Sequence, residues 1–346
     1  MSQSNPFKSD SFETRFTSQT GVRLPLICGP MYPCSNKELV AAVAAAGAMG
    51  VVQPLSMVFV YGDDFREGLR WIRRQTDQPI GMNVLIEKSS KIYEDRMRTW
   101  VQVAVEEGVK FYITSLGNPR WVVETVRPHG GIVYHDVTER RWALKALEAD
   151  VDGLICVNER AGGHAGQRSA RRLLADLKDL GKPLICAGGV GDPASFAEMI
   201  ALGYDGVQMG TRFIASTECA AHDDYKQAIL QARAEDIQMT DKLSGTPCAI
   251  IQTPSVARMS LKAQGIEKFL LKHKRTKYLM RTYYALGSIW KLKQASLKGL
   301  SYKDVFQAGK SVDGINQVES AGEIVANFAA ALKGMEAKDE ALEPSA

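Results

Sequence analysis

The sequence predicts an α/β fold of the (β/α)8 or TIM-barrel type, with an additional helical C-terminal segment or subdomain. Three observations predict it. Over residues 22–215, short β-rich apolar runs alternate with longer stretches of helical period, the pattern of a parallel α/β chain. Eight strand candidates fall in that span, the number a closed barrel needs. No G-x-G-x-x-G follows the first of them, which weakens the alternative of a doubly wound dinucleotide-binding sheet.

Taken in order, the first strand candidate is VRLPLICG (22–29), followed by the helical NKELVAAVAAAG (36–47). Ser35 or Asn36 suits the start of that helix and Gly47 its end. The next strand candidates are MGVVQPL (49–55), which precedes the amphipathic DFREGLRWIRRQ (64–75), then PIGMNVLI (79–86), KFYITSL (110–116), GGIVYHDV (130–137) and DGLICVN (152–158). KPLICAGG (182–189) leads into PASFAEMIALG (193–203), with Asp192-Pro193 to open the helix and Gly203 to close it. DGVQMGT (205–211) completes the eight. After about residue 216 the strands are expected to stop, and the chain reads as mainly helical to the acidic tail KDEALEPSA. Residues 1–220 are thus expected to form the barrel, and 221–346 a helical region that caps or extends it, within the same domain or as a small second lobe.

The chain has 346 residues, 45% hydrophobic and 24% charged, with a formal net charge of +4, which excludes disorder and gives no general case for nucleic-acid binding. Its six cysteines form no CxxC pair or Cys/His cluster, so they read as reduced core residues and no metal is expected. The N-terminus lacks an apolar signal core, and the run LVAAVAAAGAMG is too short to span a bilayer; the expectation is a cytoplasmic protein with no membrane partner. Positive charge is local: residues 256–310 hold thirteen Lys and Arg against two acids. A solvated helix face is the first reading of that segment. A basic lid for a phosphorylated substrate, a nicotinamide cofactor or an acyl-carrier thioester is the second, and nucleic acid or a membrane surface the last.

In such barrels the chemistry lies at the C-terminal ends of the strands. CAGGVGD ends strand seven and QMGT ends strand eight, each before a helix start. Either glycine pair alone equally suits a left-handed turn. Side by side they favour a phosphate site, with the backbone N–H groups of Gly188, Gly189, Gly210 and Thr211 and the Thr211 hydroxyl around it. ERAGGHAGQ (159–167) sets His164 among glycines, a backbone suited to close approach, although a histidine in such a loop serves equally as a turn residue.

These residues resemble the FMN-dependent nitronate monooxygenase family, which also holds flavin NADH:quinone reductases and is related to flavin enoyl-thioester reductases. The resemblance runs through ETRFTSQTGVRLPLICGPM, ELVAAVAAAGAMGVV, PIGMNVLI, RAGGHAG, PLICAGGVGD and GVQMGTRFIASTEC, and less clearly through FQAGKSVDGINQVESAGE. It implies FMN, with its phosphate on the loops of Gly188-Gly189 and Gln208-Met209-Gly210-Thr211, Pro30 and Met31 under the isoalloxazine, Asn83 hydrogen-bonded to the cofactor, and Gly162 and Gly163 letting the backbone approach. His164 matches the active-site histidine, which takes a proton from a nitroalkane or, as imidazolium, binds the oxygens of a nitronate. The implied activity is oxidation of alkyl nitronates by dioxygen through one-electron transfer to the flavin. One alternative is a reductase of quinones or enoyl thioesters that uses NADH or NADPH; another, of a different class, is a non-catalytic flavin-binding protein. Monomer and homodimer are both open.

Two positions depart from the family pattern. Arg160 stands where an acid is usual, either to bind an anionic substrate or as an outward-facing ion pair. Asp136 stands where Gln or Lys is usual near the flavin's pyrimidine edge, and a carboxylate there disfavours an anionic reduced flavin unless it is protonated or paired; a one-residue shift would bring His135 there instead.

Overall fold

The computed structural model describes residues 12–87, 91–240, 247–253 and 306–342. Eight parallel strands close into one barrel in sequence order: β1 (Leu26–Cys28), β2 (Met49–Val52), β3 (Ile80–Leu85), β4 (Phe111–Ser115), β5 (Ile132–Val137), β6 (Gly153–Val157), β7 (Leu184–Ala187) and β8 (Gly206–Met209), with β8 pairing back to β1. Each coincides with one of the eight expected runs, so the barrel reading holds.

Strand period divides the apolar residues into two cores. Ile27, Met49, Val51, Phe111, Ile113, Tyr134, Ile155 and Ile185 fill the barrel, while alternate residues such as Leu26, Val133, Leu154 and Val207 pack outward against the helices. Helix α1 (Arg15–Thr20) plugs the N-terminal mouth. Its Phe16 ring meets Phe111 and Tyr134 at 5.6 and 5.9 Å, and Arg15 forks onto Asp205 through two 2.7 Å hydrogen bonds. With that end sealed, the open mouth is the C-terminal one.

The outer ring comprises α2 (Lys37–Ala45), α3 (Phe65–Gln75), α4 (Lys91–Glu106), α5 (Arg120–Val126), α6 (Arg140–Leu147), α7 (Ala170–Leu177) and α8 (Pro193–Leu202), with the four-residue α9 (Thr211–Ile214) after β8. Asp192 caps α8 as its position suggests, accepting from the Ser195 N–H at 2.9 Å. Asn36 occupies the cap position of α2, but its side chain is used elsewhere: it donates to Glu38 and to the Glu218 carbonyl. Ser35 accepts from the Met31 N–H at 2.8 Å and so shapes the loop after β1.

The expectation that strands stop near residue 216 is corrected. After α10 (Asp223–Gln231), β9 (Ile237–Thr240) and β10 (Cys248–Ile251) form a small antiparallel sheet. β10 bridges Ala249 to Gly163 and Ile250 to Gln307, so it belongs to the barrel mouth. Its burial leaves its edges no water, and pairing with the two loops satisfies them. The final helix α11 (Ala321–Leu342) returns to the barrel wall, where Phe328 packs edge-on against Phe196 of α8 at 5.3 Å. The basic residues expected between 256 and 310, except Lys310, and the end of the acidic tail lie outside the described residues. Among the described residues no helix is long and apolar enough to cross a membrane, and no His/Cys/Asp/Glu group is arranged to hold a metal ion. All six cysteines are buried thiols.

Candidate active site

A cavity of about 1270 Å³ opens at the C-terminal mouth. Pro30, Met31, Asn83, Asp136, Gly162, Gly163, His164, Gly188, Gly189, Gln208, Met209, Gly210 and Thr211 all line it, although they come from six different strand ends and loops. The structure therefore brings together the residues that the sequence assigns to the cofactor and to catalysis, while Arg160 does not line the cavity.

The glycine loops are explained locally. Gly188 and Gly189 follow β7 with φ of +114° and +84°, in the left-handed region that side chains avoid. A Cβ on Gly188 would also stand 2.5 Å from the Ala161 nitrogen, so the loops after β6 and β7 touch backbone to backbone. Asn158 locks them together. Its side chain donates to the Gly188 carbonyl at 2.8 Å and accepts from the Arg160 N–H at 2.8 Å, and its burial keeps both bonds dry.

Gly162 has a neighbour that the sequence did not suggest. Its Cβ position lies 2.9 Å from the Gly309 nitrogen, so the glycine admits the C-terminal segment of this chain. Ala249 N–H donates to the Gly163 carbonyl at 2.7 Å, Lys310 N–H to the Arg160 carbonyl at 2.9 Å, and Gly309 N–H to Thr211 Oγ1 at 3.0 Å. The His164 loop is thus held by β10 on one side and by residues 309–310 on the other. His164 itself is exposed at the cavity wall. Arg160 faces outward, 3.7 Å from Asp313, and donates to the Lys310 carbonyl at 3.1 Å, which supports its reading as an ion pair.

On β5, Tyr134 belongs to the barrel interior, so Asp136, two residues on, points up the same interior face. His135 has the opposite parity. Its Nδ1 lies 2.8 Å from Thr114 Oγ1, which is also 3.1 Å from the Tyr134 carbonyl oxygen. Burial lowers the His135 pKa to about 4 and raises that of the Asp136 carboxyl to about 7. Asp136 Oδ1 and Gln208 Oε1 are sealed from solvent and have no hydrogen-bond partner, although both residues line the cavity. Two buried acceptors without donors mark a wall that a donor-bearing ligand completes.

Sequence reasoning missed other lining residues, among them Gln53, Tyr225, Gln307 and Ser311, and an outer group comprising Phe59, Leu116 and Trp142. Asn158 had a signal, the polar end of an apolar strand run. Tyr225 and Gln307 had none: they lie far apart in sequence, and only folding lets the Tyr225 hydroxyl donate to the Gln307 carbonyl while its ring stacks on Phe306 at 4.5 Å.

Comparison with known proteins agrees with this geometry. The family described as nitronate monooxygenase matches residues 13–330. A nitronate monooxygenase of Paraburkholderia phytofirmans is 27% identical over 270 residues, covering 65% of this chain and 72% of its own. A hydroxy-methyl-oxo-octahydroindene-carboxyl-CoA dehydrogenase of Mycobacterium tuberculosis is 26% identical over 250 residues, covering 71% of this chain and 68% of its own. FabK from Thermotoga maritima superposes with a TM-score of 0.78 at 26% identity, covering 96% of this chain and 99% of its own. The match spans the barrel and the C-terminal segment that clasps it, and the chain therefore belongs to the nitronate monooxygenase family of oxidoreductases.

Proposed function

We propose that the cavity holds FMN and that the protein oxidises alkyl nitronates with dioxygen, without a pyridine nucleotide. The observation that carries this reading is the convergence, in one cavity, of two glycine-bearing loops, an interior polar set of Asn83, Asp136 and Gln208, and His164. The loops at Gly188-Gly189 and Gly210-Thr211 would take the phosphate, and Pro30 and Met31 would lie against the ring. Gln208 and Asp136 suit a pyrimidine edge, which presents an N–H between two carbonyls: each offers an unpartnered acceptor, and an amide or a protonated carboxyl also supplies a donor. The bound flavin would supply the electron acceptor, which no side chain can replace.

The chain's own residues do the rest. His164 removes the acidic C–H proton of a neutral nitroalkane or, when protonated, holds the oxygens of a preformed nitronate. Asp136, with its pKa raised to about 7, is largely protonated below neutrality, so it would offer the cofactor edge a hydrogen bond without placing a full negative charge beside it. The position of Asp136 therefore accommodates the departure from Gln or Lys. Reduction of an enoyl thioester by NADH or NADPH is the second reading, favoured by the likeness to the carboxyl-CoA dehydrogenase of Mycobacterium tuberculosis, whose name specifies a CoA thioester.

The test is to purify the yellow protein, identify its flavin, and mix it without oxygen with propyl-2-nitronate, NADH or NADPH. Bleaching by the nitronate alone is expected. Rapid bleaching by a nicotinamide, with none by nitronate, transfers the assignment to the reductase reading, and a colourless protein that takes up no FMN removes both.

A further inference from the structure

The cavity mouth is built from two unlike halves. Loops after β6, β7, β8 and β1 contribute six glycines, Gly162, Gly163, Gly188, Gly189, Gly210 and Gly29, beside the side chains of Met31, Tyr32 and Val190. Loops after β2 to β5, which are consecutive around the barrel, present large apolar side chains: Leu55, Phe59, Tyr93, Leu116, Pro119 and Trp142. Phe59, Leu116 and Trp142 are 44%, 69% and 40% exposed, among the few large apolar side chains so exposed among the described residues. Leu116 also sits at φ +75°, a backbone geometry that leucine rarely adopts, and it aims an apolar group into water at the rim.

Size points the same way. A cavity of about 1270 Å³ exceeds the ~300–1,000 Å³ of a pocket for one drug-sized ligand, so a cofactor on the glycine half leaves room for a second molecule along the apolar half. A small nitronate would leave those side chains in water. Among the described residues Lys145 and Glu148 line this rim with one charge of each sign, and the guanidinium groups of Arg96 and Arg141 lie over the Phe59 and Trp142 rings.

We propose that the substrate carries an elongated apolar tail that leaves the reaction centre between Phe59, Leu116 and Trp142. This rests on the reading of the cavity as the substrate site and adds a substrate class, long-chain or bulky alkyl compounds over short ones. Phe59 rests against Trp100 at 6.1 Å, which fixes one wall of the channel. Trp142, which lines the opposite side, carries Arg141 and Lys145 over its ring at 4.6 and 5.0 Å from the ring centre, contacts that restrict the indole's rotation.

The test uses the flavin-loaded protein and the unreactive series butanoate, hexanoate, octanoate and decanoate, whose planar carboxylates imitate a nitronate head, with Kd read by calorimetry. Affinity is expected to rise about two- to fourfold per methylene, the range for burying a methylene partly to fully. Leu116→Gly removes the side chain where glycine is the favoured residue, so the fold is kept, and Trp142→Ala changes a half-exposed position. Both variants are expected to flatten the chain-length slope. Leu144→Ala, an equally exposed residue of α6 that does not line the cavity, is expected to keep it. A slope absent from the parent protein, or unchanged in both rim variants, overturns the proposal. A normal slope in a protein that fails to oxidise nitronates leaves the tail channel standing and removes only the assigned reaction.

Discussion

At the residue scale the pair His135 and Asp136 shows how burial divides adjacent titrating groups. Asp136 keeps its proton in the fold between its ordinary value of 3.8 and about 7, where the unfolded chain has lost it. That contribution to stability is full below pH 3.8 and is lost as pH rises to about 7. His135 stays neutral between about 4 and 6.5, where the unfolded chain binds a proton, so its contribution is present above pH 6.5 and lost as pH falls to about 4. Over the shared interval the two slopes oppose each other. For flavin-free protein, Asp136→Asn is expected to unmask the histidine, so that Tm climbs from pH 4 to 6.5 more steeply than in the parent; identical Tm profiles would show that Asp136 is charged throughout. His164→Ala is expected to retain the flavin and lose turnover of neutral nitroalkane by about 10²-fold or more, the usual contribution of a positioned base. Full turnover places the base elsewhere. The sequence placed Asp136 near the flavin only through the family resemblance and left His135 as the alternative; parity in the folded strand set Asp136 on the interior face, and its solvation, hence its charge, depended on walls contributed by other strands.

At the element scale, strand-end loops carry the site because the barrel fixes their bases while leaving their backbones free to meet. Gly188→Ala forces a left-handed φ and a Cβ within 2.5 Å of the Ala161 nitrogen. A loss of about 2–4 kcal/mol in denaturant unfolding is expected, together with weakened flavin retention. Gly309→Ala tests the clasp from the other side, since its Cβ would stand 2.6 Å from the Gly162 nitrogen and 2.7 Å from the Arg160 carbonyl oxygen. Faster amide exchange over residues 158–168 is expected, and unchanged exchange would show that the C-terminal segment does not order the His164 loop. The strands, the Asp192 cap and the glycine turns were legible because each depends on neighbouring residues. Asn36 takes the cap position that its place in the sequence suggests, but position does not fix a side chain's partner, and β9 and β10 were missed because two short strands need a tertiary contact, here the bridge from Ala249 to Gly163, to be stable.

At the scale of the whole molecule the C-terminal residues are bound to the barrel at both ends of their described stretch. Residues 306–319 reach the mouth, where the buried Arg212 guanidinium donates to the Gln317 carbonyl at 2.7 Å and lies 3.3 Å from Glu319. Helix α11 then packs its Phe328 on α8. We propose that barrel and C-terminal region unfold together as one domain. Phe328→Ala is expected to cost about 3–5 kcal/mol and to lower a single transition, whereas an early separate transition would identify a second lobe.

The sequence by itself determined the barrel, its eight strands, the family and the identity of the residues at the strand ends, because alternation, turn chemistry and motif order are local properties. Tertiary structure alone decided which groups share a cavity: the unpartnered acceptors of Asp136 and Gln208, the use of Gly162 to admit Gly309, the outward ion pair of Arg160, and the apolar rim of Phe59, Leu116 and Trp142. Burial and close approach depend on residues far apart in the chain, and barrel closure brings them together.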